Sequence, residues 1–191
     1  MSYLMDKIEG HTVLLLTMTG SRLYGVHTPE SDYDYWAVVL ENVKTSQKVV
    51  EGEDVTLISL KNFMTMLDNG VPQAMEVLWS PVAEFNETYK PLLNSLSPHL
   101  WWARYRLLAP QSLEKMKKKG QPLTPKQWRK GKMQKTRLAL QWYNMAHNGW
   151  FNPQLSGEQL EIVLYAGTEE GNWVPEVVHT MAVNTLPDYA R

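Results

Sequence analysis

The sequence predicts an α+β protein: a small β-sheet core in the first 90 residues, flanked by helices and followed by a helical C-terminal lobe. Three observations carry this. Short β-prone apolar runs recur before residue 60. Gly- and Pro-containing breaks separate them. Beyond about residue 85 the pattern becomes helical, with long stretches of 3.6-residue periodicity.

The elements follow in order. Residues 12–18 (Thr-Val-Leu-Leu-Leu-Thr-Met) form a buried strand. Gly20 permits a tight turn and close approach of backbone N–H groups to a ligand. Ser21 is a good N-cap, so residues 21–24 start a short helix. A second strand covers 35–40, a shorter one 48–50, and another 54–59. Residues 60–67 are helical, with Phe63, Met64 and Leu67 on one side, and Asp68-Asn-Gly-Val-Pro is a turn. Pro72 suits the first turn of a helix over 73–79. Helices are then expected over 88–96, 98–108, 111–119, 125–147, 157–165 and 174–183, with Thr124 capping the fourth. The expected division is a core over 1–90 and a helical lobe over 91–191, two lobes of one compact unit.

Composition narrows the chemistry. The chain has 191 residues and no cysteine, so a disulfide framework, a thiolate zinc site and a cysteine nucleophile are excluded. No run approaches the ~20 apolar residues of a membrane span, and the N-terminus lacks the apolar core of a signal peptide. The expectation is a cytoplasmic protein with no membrane partner. The net charge is only −1, yet the signs are segregated. Residues 104–137 hold twelve Lys and Arg against one acid, Glu114. A basic segment of this kind suits a polyanionic ligand, or else a solvated helical face. Trp128, Trp142 and Tyr143 lie within or beside it and are expected in the core rather than stacked on bases.

Residues 20–34 read Gly-Ser-Arg-Leu-Tyr-Gly-Val-His-Thr-Pro-Glu-Ser-Asp-Tyr-Asp. Side chains at i and i+2 of a strand share a face, so Asp32 and Asp34 are expected side by side at the start of the second strand. Two carboxylates that close repel each other unless a cation lies between them. Hard divalent ions take such oxygen ligands together with substrate phosphates. Opposite them, Gly20 and Ser21 offer backbone N–H groups and a hydroxyl at a helix start, a setting that attracts phosphate. A lone Asp-x-Asp is more often an exposed turn; the upstream Gly-Ser reverses the balance.

Gly-Ser, a second glycine, then Ser-Asp-x-Asp before an apolar strand resembles the signature of the DNA polymerase beta-like nucleotidyltransferase superfamily. Residues 54–63 and 68–81 are similar to its bacterial and phage group of predicted nucleotidyltransferases. The resemblance covers residues 11–81 well and the remainder loosely. It implies a small mixed β-sheet core and a magnesium-dependent transfer, with manganese as a substitute, of a nucleoside monophosphate from a nucleoside triphosphate to a hydroxyl. It leaves three readings open: transfer to RNA or tRNA, toward which the basic segment tilts the balance, transfer to a protein or small molecule, or a non-catalytic binding module on the same fold. Asp32 and Asp34 would hold metal, with a third carboxylate from a neighbouring strand. Asp54 is the candidate, with Glu53 and Glu51 as rivals because a one-residue slip turns a different side chain inward. Gly20, Ser21 and Arg22 would contact phosphate, Arg22 alternatively pairing with Glu30. Lys132, Lys135 and Arg137 are the candidates from the basic lobe for triphosphate or acceptor contact, and Glu76 for holding a neighbouring group in place. His27 is left as a solvated loop residue. Only about ten residues precede the first strand, so the amphipathic N-terminal helix usual in the superfamily is expected to be absent or minimal.

Overall fold

The structure is a computed structural model that describes residues 2–95, 124–148 and 151–168. The helices expected over 98–108, 111–119 and 174–183 lie outside the described residues.

The chain opens with helix α1 (Ser2–Lys7), followed by strand β1 (Val13–Thr19), helix α2 (Gly20–Tyr24) and strand β2 (Asp34–Val39). Strands β3 (Ser46–Val50) and β4 (Glu53–Ser59) form a hairpin, and helices α3 (Leu60–Asp68) and α4 (Pro72–Leu78) follow. Strand β5 (Glu84–Phe85), helix α5 (Lys90–Asn94), helix α6 (Pro125–Asn148) and helix α7 (Gly157–Ala166) complete the described part.

The five strands make one mixed sheet in the order β3-β4-β2-β1-β5. β2 and β4 run parallel, and the remaining pairs are antiparallel. Leu15, Val38 and Ile58 point to the face covered by α3, α4 and α6, where Phe63, Leu67, Met75, Leu138, Met145 and Phe151 complete the main core. Leu16, Ala37, Val39, Val55 and Leu57 point to the other face, covered by Leu4 of α1 and by Ile8, the residue just after it. The N-terminal helix is thus present but only six residues long, and Met5, Val43 and Val50 pack beside Leu4 and Ile8 on that face. α6 contributes to the same core as the strands, so the helical part is packed on the sheet rather than tethered to it.

Local chemistry explains the helix boundaries. The Ser59 hydroxyl caps α3 by accepting from the Asn62 N–H at 3.2 Å. The helix ends with Gly70 N–H on Leu67 O at 2.8 Å and Val71 N–H on Met66 O at 2.9 Å, the paired bonds of a Schellman motif. Pro72 then occupies the first turn of α4, where its missing N–H costs nothing. Thr124 caps α6 reciprocally: Gln127 N–H donates to its hydroxyl, and its own N–H donates to the Gln127 side chain at 2.9 Å.

β5 was not foreseen. Two residues carry no periodic signal, and the strand exists because Leu15 and Leu16 need a partner on the open edge of β1. Asn86 extends the pairing by donating its N–H to Leu14 O at 2.9 Å.

The first seven described residues of the α6 region, 124–130, are all exposed, and the buried stretch begins only after them. Trp128 is accordingly 40% exposed instead of lying in the core, because it belongs to those exposed first turns. Tyr143 packs against the main core as expected. The Trp142 side chain lies outside the described part.

Candidate functional site

The site is built at one end of the sheet. β2 begins at Asp34, and its parallel register sets Asp34 directly beside Asp54 of β4. Paired residues on adjacent strands project to the same face, so the two carboxylates stand side by side on the face shared with Trp36 and Thr56. Glu53 falls on the opposite face, near Tyr35, whose phenol is held above its ordinary range by burial and then by the Glu53 charge. Glu51 sits in the β3–β4 turn with φ 51° and makes an ion pair with Lys7 at 3.7 Å. Of the three acids that compete in sequence, only Asp54 shares a register position with Asp34.

The pleat does not reach Asp32. This residue precedes β2 and lies exposed in the loop over 25–33. That loop is ordered by its own bonds. Ser31 N–H donates to Thr28 O at 3.0 Å, and Thr28 N–H donates to the Ser31 hydroxyl at 2.9 Å, closing a turn around Pro29-Glu30. Arg22 grips the same turn. Its Nε and Nη2 both donate to Ser31 O, at 3.0 and 2.7 Å, and its guanidinium lies over the Tyr33 ring 3.8 Å from the centroid. Glu30 is not its partner.

Gly20 lies against Asp34. It adopts φ +72°, and a Cβ there would come 2.9 Å from Asp34 Oδ2. A side chain at position 20 would therefore be both strained and in collision with the carboxylate. α2 spans only five residues and ends in Gly25 at φ 83°. A helix of one turn is not stable alone, and Tyr24 holds it against the protein. The Tyr24 hydroxyl donates to Glu76 Oε2 at 2.6 Å, and the Arg137 guanidinium stacks on the Tyr24 ring at 3.6 Å. Arg137 also donates to Glu76 Oε1, and to Gln141 Oε1 at 3.0 Å; Gln141 in turn donates to Pro153 O at 2.9 Å. Burial, reinforced by the Glu76 charge, drives the Tyr24 phenol far above its ordinary range. Glu76 (1% exposed) and Arg137 (4% exposed) thus form a buried ion pair that links α4, α6 and α2.

Glu76 therefore holds a basic side chain, one of the neighbours, backbone or base, that its lone charge on an apolar helix could hold. Lys132 is also turned inward, donating from Nζ to Thr168 O at 2.6 Å. A triphosphate would reach Lys132 or Arg137 only by displacing these partners. Lys135 is half-buried further along α6. The exposed cations of the described basic segment are Lys126, Arg129 and Lys130. His27 is exposed in the loop. One site-supporting contact has no sequence signal: Thr17, on the Asp34 face of β1, donates to the Ser80 hydroxyl at 2.8 Å in the buried interior, 63 residues away.

Among the described residues, no cluster of three His, Cys, Asp or Glu side chains is drawn together as a metal ligand set. The donor set on offer is two carboxylates beside a glycine that leaves room at Asp34 Oδ2. Magnesium needs no more from a protein, since it is commonly held by one or two carboxylates together with water and substrate phosphate. The residues present fit such an ion.

Residues 4–161 match the RlaP family, described as an RNA repair pathway DNA polymerase beta family. This chain belongs to that family. The α+β architecture with a five-stranded mixed sheet, flanking helices and a helical C-terminal part agrees with the superfamily resemblance carried by the Gly-Ser and Asp-x-Asp motifs. Membership suggests nucleotidyl transfer linked to RNA. No curated protein matches the chain at a significant level. No helix among the described residues is long and apolar enough to cross a membrane.

Proposed function

We propose that this chain transfers a nucleoside monophosphate from a nucleoside triphosphate to a hydroxyl group of RNA, the ends of tRNA included. The observation that carries the reading is the register pairing of Asp34 with Asp54, beside a glycine whose missing side chain opens the approach to Asp34. The family description supplies RNA as the substrate class.

In this reading, Asp34 and Asp54, with Asp32 from the adjoining loop, would hold magnesium, for which manganese could substitute. The bound ion would draw charge from the triphosphate and acidify the attacking hydroxyl. The Gly20 and Ser21 N–H groups and the Ser21 hydroxyl donate to phosphate oxygens. Asp54 accepts the proton of the acceptor hydroxyl. The new bond joins that hydroxyl oxygen to the α-phosphorus. The bond to the bridging oxygen breaks, and pyrophosphate departs with its electron pair. Residues 1–90 supply this chemistry. Residues 91–191 supply a basic surface for the acceptor, of which Lys126, Arg129 and Lys130 are the exposed described cations.

The test is incubation of the full chain with each α-labelled nucleoside triphosphate, magnesium and total RNA or lysate. Label in RNA that Asp34→Asn abolishes supports the reading. Label in protein points to the alternative acceptor. Absence of label under every condition overturns transfer activity.

A further inference from the structure

We infer that Arg22 is a positioning residue for Asp32, and not a phosphate ligand; this rests on the metal-binding role proposed above. The argument is local. Asp32 lies outside β2, so no strand pairing fixes its direction. Its two neighbours are both held by one side chain. Arg22 donates twice to the carbonyl of Ser31 and covers the ring of Tyr33. Two of the three guanidinium nitrogens are thereby spent on a backbone oxygen, and one flat face is spent on an aromatic ring. The Ser31–Thr28 bonds close the turn behind the gripped carbonyl. α2, which carries Arg22, is itself anchored through Tyr24 to the buried Glu76–Arg137 pair. The result is a rigid bracket running from the core to both residues that flank Asp32. A loop carboxylate held this way loses little freedom when it takes a cation, and pre-organisation of that kind strengthens binding.

The sign of the effect separates the bracket from simple electrostatics. A guanidinium beside a cation site repels the cation, so charge alone predicts that removing Arg22 tightens metal binding. The bracket predicts the opposite. Lysine is informative because its point charge lacks both the fork and the planar face.

The experiment is titration of the full chain with Mn2+, read by electron paramagnetic resonance without nucleotide. Hydrogen exchange of the 31–33 amides and a thermal melt accompany each variant. Arg22→Gln should weaken Mn2+ binding by about 10- to 100-fold, the range for residues that orient metal ligands. Arg22→Lys should show nearly the same loss. Tyr33→Phe should bind as the unaltered chain does, and Tyr33→Leu should show a smaller loss with faster exchange at 31–33. Unchanged or tighter Mn2+ binding in Arg22→Gln overturns the inference. So does full retention in Arg22→Lys, because neither the fork nor the planar face would then be needed. If Arg22→Gln fails to fold, the lysine variant and the Tyr33 pair decide. Asp34→Asn separates the two levels. If it removes Mn2+ binding while the Arg22 variants do not, only the bracket falls. If it has no effect, the metal site itself is wrong, and the bracket falls with it.

Discussion

Two charged clusters lie at the same end of this molecule and are built in opposite ways. Asp34 and Asp54 are exposed like charges on adjacent strands, with no ion-pair partner among the described residues. Glu76 and Arg137 are opposite charges buried together, their remaining capacity taken by Tyr24 and Gln141. The first cluster leaves its oxygens open to a cation, which is what a ligand site requires. The second is satisfied internally and has nothing left to offer a ligand; it fixes α2 in place for the first. The difference teaches that a charged residue in a basic or acidic stretch declares its role through its partners and not through its sign.

The comparison can be broken most sharply at the exposed pair. Asp34→Asn should lower nucleotidyl transfer on the order of 10³-fold or more while leaving the melting temperature nearly unchanged. Near-normal transfer would remove the exposed pair from the chemistry. The buried pair should behave in reverse. Glu76→Ala leaves Arg137 charged and buried, and should cost about 3–5 kcal/mol of stability in denaturant unfolding. If Arg137→Met is added, part of that loss should return, because no unpaired charge is then left buried, although the smaller side chain at position 76 leaves a cavity. Equal stability of the single and double variants would mean that the two charges do not act as a pair.

Gly20→Ala sits between the clusters. The left-handed backbone and the clash with Asp34 Oδ2 should cost roughly 1–3 kcal/mol, with a further loss of transfer as the carboxylate moves. An unfolding curve matching the parent would contradict the close approach. A pH experiment sharpens the buried side. The folded-state pKa of Tyr24 is raised, so its contribution is complete below the unfolded tyrosine value of about 10 and is lost as pH climbs above it. Stability should therefore fall above that pH, and less steeply in Tyr24→Phe. The smallest effect expected is Thr17→Val. It removes the buried bond to Ser80, whose hydroxyl still accepts from the Val82 N–H, and should cost only about 0.5–1.5 kcal/mol.

The sequence alone determined a good deal. The apolar runs and Gly/Pro breaks located β1, β2, β4, α3 and α4 within a residue or so, because local periodicity and capping are short-range properties. The order Gly-Ser then Asp-x-Asp pointed to phosphate and metal, and the odd Glu76 on an apolar helix called for a neighbour to hold, backbone or base. What periodicity could not supply was the register. Asp54 and Glu53 are equivalent as sequence, and only the parallel pairing of β2 with β4 turns Asp54 toward Asp34. Nor could it see that β2 starts two residues after Asp32, leaving that carboxylate to a loop. Arg22, Lys132 and Arg137 read as cations for a polyanion; the fold gave them to Ser31, Thr168 and Glu76. The Glu76–Arg137 and Thr17–Ser80 contacts join residues 61 and 63 positions apart. Pairing at such separations follows from which faces pack together, and that is decided by burial of the whole sheet, not by any neighbourhood of the chain.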